Sequence, residues 1–153
     1  MTQVDVRQKI LADNAAAAAA LRGRFADSRT LVMNLISSPG SGKTTLLEAT
    51  VRALGGRLRL GAIEGDIATE RDADRLRRLG IPAHQILTNG GCHLDARQVR
   101  GALEQHDLGP LDVLFIENVG NLVCPTAYDR GEDFKVALLS VTEGEDKPFK
   151  YPG

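Results

Sequence analysis

Five short apolar segments follow Thr30: LVMNLIS (31–37), LRLGAI (58–63), AHQILT (83–88), DVLFIE (112–117) and KVALLSV (135–141). Their apolar residues run almost continuously instead of alternating, as they do in strands buried on both faces of a parallel sheet. Between them lie stretches of helical spacing: TTLLEATVRAL (44–54), ATERDADRLRRLG (68–80) and LDARQVRGALEQH (94–106). The last offers Leu94, Val99, Ala102 and Leu103 as a buried stripe, and Gly80-Ile81-Pro82 closes the middle one. Strands alternating with helices predict an α/β fold, a mostly parallel sheet with helices on both faces.

A helix is expected to precede this unit. The run DNAAAAAALRGRFA is dominated by the strongest helix former, so residues 5–27 read as helical. The apolar face of that helix is weak, which suits loose packing, a partner surface or an exposed arm. The chain therefore divides into an N-terminal helical arm, 1–29, and a domain, 30–153. No helix follows the fifth strand before Lys150-Tyr151-Pro152-Gly153, so that domain is expected to be incomplete, with terminal strands and helices missing.

Composition narrows the function. At 42% hydrophobic and 25% charged residues over 153 positions, the chain can bury a core and is no disordered tail. A net charge of −1, few aromatics and no Trp argue against a nucleic-acid partner. No run approaches the roughly 20 apolar residues of a membrane span, and no basic segment leads a secretory signal. A cytoplasmic location is expected, where Cys92 and Cys124 stay reduced and available to a metal.

The strongest motif is Ser37-Ser38-Pro39-Gly40-Ser41-Gly42-Lys43-Thr44-Thr45, set between the first apolar strand and a helical stretch. That context is a phosphate-binding P-loop. Glycines let backbone N–H groups curl around an anion, and the next helix aims its N-terminus at it. Lys43 is placed for the β and γ oxygens, and Thr44 for Mg²⁺. Ser37 stands where the strict pattern has Gly, whereas Gly40, Gly42, Lys43 and Thr44 keep the demanding positions. A second element is DVLFIENVG, whose Glu117 ends a strand and can hold Mg²⁺, with Gly120 able to offer an N–H to a γ-phosphate. A third follows the second strand: Asp66 is a candidate for the metal or the attacking water, Asp72 for the same site. Asp72 and Asp74 also fit an ordinary polar helix face.

Cys92-His93 follows the turn Asn89-Gly90-Gly91, and Cys124 lies shortly after Glu117. Both cysteines fall in loops at the carboxyl ends of strands, where such sheets bind ligands. Thiolate and imidazole suit Ni²⁺ or Zn²⁺, but three donors leave a tetrahedral site one short. Two unrelated thiols and a histidine would read the same way. His84 reads as strand packing and His106 as a helix end.

Taken together, SSPGSGKTTLLE, GDIATERDADRL, GCHLDA, LFIENVGNLVCP and VALLSVTEGEDKPFKYP resemble the hydrogenase nickel-incorporation GTPase family, the HypB-type maturation factors, over residues 30–152. Urease nickel-insertion GTPases are relatives whose Cys-Pro-His motif is absent here. The resemblance implies a P-loop GTPase domain in which Gly40, Ser41, Gly42, Lys43, Thr44, Thr45 and Gly120 bind nucleotide. Asp66, Asp72 and Glu117 would serve Mg²⁺ and the switch between GTP and GDP, with Lys43, Asp66 and Glu117 as the catalytic set. It also implies Cys92, His93 and Cys124 as ligands of Ni²⁺ or Zn²⁺ at a homodimer interface, a nickel-delivery partner, and a hydrogenase large subunit as recipient. The family's guanine-reading Asn-Lys-x-Asp segment is missing from these residues, so GTP over ATP rests on the resemblance. Other readings of the same motifs are a urease-type nickel GTPase, a small-molecule kinase and a non-catalytic metal-binding fragment.

Overall fold

The computed structural model describes residues 3–67 and 70–150. Its elements run α1 (Gln3–Ser28), β1 (Leu31–Ser37), α2 (Lys43–Leu54), β2 (Leu60–Asp66), α3 (Arg71–Arg77), β3 (Ala83–Leu87), α4 (Ala96–Gln105), β4 (Val113–Glu117), β5 (Phe134–Leu138) and a short α5 (Lys147–Lys150). The sheet has the order β3-β2-β4-β1-β5, and every neighbouring pair is parallel. Parallel neighbours need crossovers; α2, α3 and α4 supply the first three, while β4 and β5 are joined by residues 118–133, a loop with one 3-10 turn at Cys124–Thr126.

Alternation along each strand sends side chains into two cores. Ile63, Leu114, Ile116 and Val32 face α1 and α4, meeting Leu21, Phe25, Val99 and Ala102. Leu35, Ala62, Val113 and Phe115 face the opposite layer with Leu47, Val51, Ala73 and Leu76 from α2 and α3. The expected strands appear with two shifts: β5 ends at Leu138 instead of running to Val141, which opens a 3-10 turn and is exposed, and β2 moves toward its carboxyl end. Leu58 is 40% exposed and outside β2, which starts at Leu60 and runs on through Glu64 and Asp66. Polar residues at a strand's carboxyl end look like loop in a sequence, yet here they carry the site. The stretch 68–80 yields a helix only from Arg71 to Arg77, and its first two residues lie outside the described ones. Leu94 is fully buried but precedes α4; Asp95 caps that helix, accepting from Gln98 N at 2.8 Å while Gln98 returns a bond to Asp95 N.

The N-terminal helix differs from the loosely packed element expected. Its second half sends Ala17, Ala18, Leu21 and Phe25 into the core, and its Asn14 is 3% exposed. Asn14 donates to Asp129 O at 2.8 Å and accepts from Ala96 N at 2.8 Å, so it joins α4 to the loop before β5. The reason lies in size. Alanines contribute little apolar contrast but allow close helix approach, and Gly131 lies so near that an added Cβ would sit 2.9 Å from Ala18 O.

Candidate functional site

β1, β2 and β4 end at a cavity of about 410 Å³ between the P-loop and the loops after β2 and β4. Gly40 and Gly42 sit at φ +75° and +94°, where a side chain would strain the backbone, and Gly42 opens α2. Lys43 and Thr44 are buried in the first turn of α2. Lys43 Nζ donates to Ser37 Oγ at 2.9 Å, so the serine that replaces the motif's first glycine gives the lysine an acceptor. Ser37 Oγ in turn donates to Ser38 O at 2.7 Å. Thr44 Oγ1 donates to Glu117 Oε1 at 2.8 Å. Gly40, Gly42, Lys43, Thr44, Thr45, Asp66, Asp72, Glu117 and Gly120 all line the cavity. Ser41 does not; its Oγ donates to Glu143 Oε1 at 2.8 Å. Asp74 points away and pairs with Arg77 at 2.8 Å.

Three residues around the P-loop escaped the sequence reading. Glu64 sits beside Glu117 in the β2–β4 register and is 1% exposed. Burial pushes its carboxyl well above the usual range, and Glu117 raises it further. Burial raises Glu117 too, while bonds from Glu64 and Thr44 and the charge of Lys43 pull it back. Glu64 therefore takes the proton and Glu117 keeps the anionic share. Among the described residues, no group outside the pair bonds Glu64 Oε1 or Glu117 Oε2, both buried, which in a carboxylate pair fits a cation site. An acid directly after the apolar run of β2 was the available signal. Arg75 is the second: it lines the cavity, bonds Glu48 twice at 3.0 Å and reaches Thr45 Oγ1 at 3.4 Å. The third is Glu143, from the turn after β5.

Beside the cavity, one ligand atom each from Cys92, His93 and Cys124 lie within 4.8 Å of one another. Two sulfurs on one ion of about 2.3 Å bond length stand at most about 4.6 Å apart, so a small closure puts all three on one ion. Both thiols are half-buried and free. A hydrogen bond with Cys124, then burial, pushes the Cys92 thiol up. Burial, then the charge of Arg130, holds the His93 imidazole below its ordinary value, favouring the neutral, metal-binding form. Tyr128 stacks on His93 with centroids 4.0 Å apart. The other two histidines are not isolated: His84 and His106 stack at 3.6 Å, away from the cluster residues.

The two centres touch through one loop. Asn121 forms a backbone bridge to Ser37 of the P-loop, and its side-chain amide donates to Cys92 O at 3.2 Å. Gly120, one residue earlier, lies so close to Pro39 that an added Cβ would sit 2.9 Å from its Cα.

The profile of the family described as CobW/HypB/UreG, nucleotide-binding domain, matches residues 31–143. The chain is 56% identical over 149 residues to a hydrogenase maturation factor HypB of Azotobacter chroococcum, covering 97% of this chain and 49% of that protein. It is 52% identical over 149 residues to the HypB of Escherichia coli, covering 97% and 51%. The chain thus spans about half the length of these curated relatives. Among solved structures, HypB from Archaeoglobus fulgidus superposes with a TM-score of 0.85 at 42% identity, covering 93% of this chain and 69% of that one. HypB from Helicobacter pylori, crystallised in complex with nickel, gives 0.84 at 45% identity, covering 92% and 66%. By fold, motif placement and relatedness, this chain belongs to the CobW/HypB/UreG nucleotide-binding family, on its HypB branch.

Proposed function

We propose that this chain is the nucleotide- and metal-binding portion of a GTP-hydrolysing metallochaperone that binds nickel and assists its insertion into a [NiFe]-hydrogenase. The observation that carries this reading is the shared loop: Asn121 holds the P-loop at Ser37 and the cysteine loop at Cys92. Lys43 exchanges Ser37 Oγ for phosphate oxygens when a triphosphate enters the cradle. Thr44 and Glu117 would hold Mg²⁺, which would supply positive charge against the phosphate oxygens. Asp66, at the mouth of the cavity, orients water, and Asp72 holds Arg75 beside the phosphates at 3.4 Å. Nickel is the cargo of Cys92, His93 and Cys124, and a second copy of the chain completes the donor set, making the working form a homodimer. Zn²⁺ fits the same donors. A nickel-delivery partner and the hydrogenase large subunit then stand before and after this step.

Loss of the γ-phosphate frees the Gly120–Asn121 segment, and the Cys92 carbonyl moves with it. The test is Ni²⁺ titration in the presence of GDP and of a non-hydrolysable GTP analogue, with a Cys92→Ala, Cys124→Ala double variant alongside. Stoichiometric Ni²⁺ binding by the parent, its loss in the variant, and different affinities in the two nucleotide states are expected. Equal affinities would refute the coupling, and an unimpaired double variant would refute the site. Phosphate transferred to an added small-molecule acceptor would favour a kinase instead.

A further inference from the structure

We propose that Arg130 is a positioning residue for the Cys92–His93–Cys124 cluster, joined by a closed hydrogen-bond ring to the strand end that carries Glu117. The proposal rests on the reading of that cluster as a site for a soft divalent cation. Arg130 is completely buried. Its Nε donates to Leu94 O at 2.8 Å, and its Nη1 donates to Pro125 O at 2.9 Å and to Tyr128 O. Leu94 follows His93 and Pro125 follows Cys124 in the chain, while Tyr128 stacks on His93. One rigid guanidinium therefore fixes a carbonyl beside each of the two ligand loops and a third under the imidazole's stacking partner. A lysine, with a single ammonium on a flexible stem, cannot hold three carbonyls in one plane.

The ring behind Arg130 runs toward the nucleotide. Arg130 N donates to Glu132 Oε2 at 2.6 Å, and Glu132 Oε1 lies 3.7 Å from Nη1. Asn34 Nδ2 donates to Glu132 Oε1 at 3.4 Å, and Asn118 Nδ2 donates to Asn34 Oδ1 at 3.2 Å. Asn118 Oδ1 accepts from Leu94 N at 3.0 Å, which closes the ring. Both peptide groups of Leu94 are thus pinned, its N–H by the residue after Glu117 and its carbonyl by Arg130. Such a geometry sets where His93 stands and passes any shift of Asn118 to it. Groups that orient metal ligands from behind change affinity by about 10–100-fold when removed.

The experiment titrates Ni²⁺ into the parent chain, Arg130→Lys and Glu132→Gln, following the thiolate-to-nickel charge-transfer band, with triphosphate affinity measured in parallel. Arg130→Lys is expected to weaken Ni²⁺ binding by about 10–100-fold and to shift the band, with triphosphate affinity unchanged. A merely structural arginine would lower the thermal midpoint and leave Ni²⁺ affinity and spectrum alone, which would overturn the proposal. Should the lysine variant fail to fold, exchange of the Arg130 Nε proton in the unmodified protein decides: Ni²⁺ is expected to slow it, and an unchanged rate overturns the proposal. A parent chain that takes up no Ni²⁺ would sink the cluster reading and this proposal together. A parent that binds beside an unaltered Arg130→Lys would sink this proposal alone.

Discussion

Replacing Glu64 by Gln isolates the carboxyl pair between β2 and β4. Burial raises the Glu64 carboxyl well above its ordinary value of 4.5, so the folded chain keeps a proton that the unfolded chain releases. The sign follows: this contribution is fully present below pH 4.5 and is lost as pH rises toward the folded value. Within that window the loss is about 1.4 kcal/mol per pH unit. For a chain of this size it lowers the thermal midpoint by about 3–6 °C per unit. Gln carries no such proton, and its amide can keep the hydrogen bond that the Glu64 carboxyl gives Glu117 at every pH. Thermal melts of both proteins from about pH 5 to about pH 8, without nucleotide or divalent cation, should show a flatter profile for Glu64→Gln and a higher midpoint near neutrality. Parallel profiles, or a less stable variant near neutrality, would refute the assignment of the proton to Glu64.

Gly120→Ala pushes a methyl onto Pro39 backbone that cannot yield, so the P-loop and the β4 loop must part. Triphosphate affinity by calorimetry should fall by about 5- to 150-fold, since overpacking costs about 1–3 kcal/mol. His84 is held below its ordinary value of 6.5 by burial, then by His106 and Arg77, so its contribution to stability is present above that value and lost as pH falls below it. His84→Gln should therefore soften the acid loss of stability between about pH 6.5 and 5, measured by chemical denaturation. Because the Cys92 thiol is raised, Ni²⁺ must displace its proton, and calorimetry in buffers of different ionisation enthalpy should detect that release.

The sheet was readable because buried parallel strands announce themselves as apolar runs, and the P-loop because its backbone demands glycine at set positions. Asp66 and Glu117 were readable as acids at strand ends, and Asp72 as an acid in the helical stretch that follows. What stayed hidden shares one physical cause: the contrast that betrays burial was missing. Ala17 and Ala18 bury as well as leucines but look neutral in a helical run. Arg130 and Glu132 lie in DRGED, which reads as a solvated turn; only the distant carbonyls of Leu94 and Pro125 and the amide of Asn34 make them interior. The apolar segment of β2 ends at Ile63, so Glu64 reads as loop although it stands inside the strand. Its pairing with Glu117 needed the register of two strands that are far apart in sequence.

Asn14 bonds to Asp129 across 115 residues, and Arg130 bonds to Leu94 across 36. A chain emerging from the ribosome presents Cys92 and His93 well before Cys124 exists, and the clasp around them later still. The cluster of Cys92, His93 and Cys124 is thus one of the last features to take shape during synthesis, and until then only two of its three side chains are present, with nothing to hold them in register. Bringing the three side chains together becomes a property of the finished, docked molecule and not of the growing one.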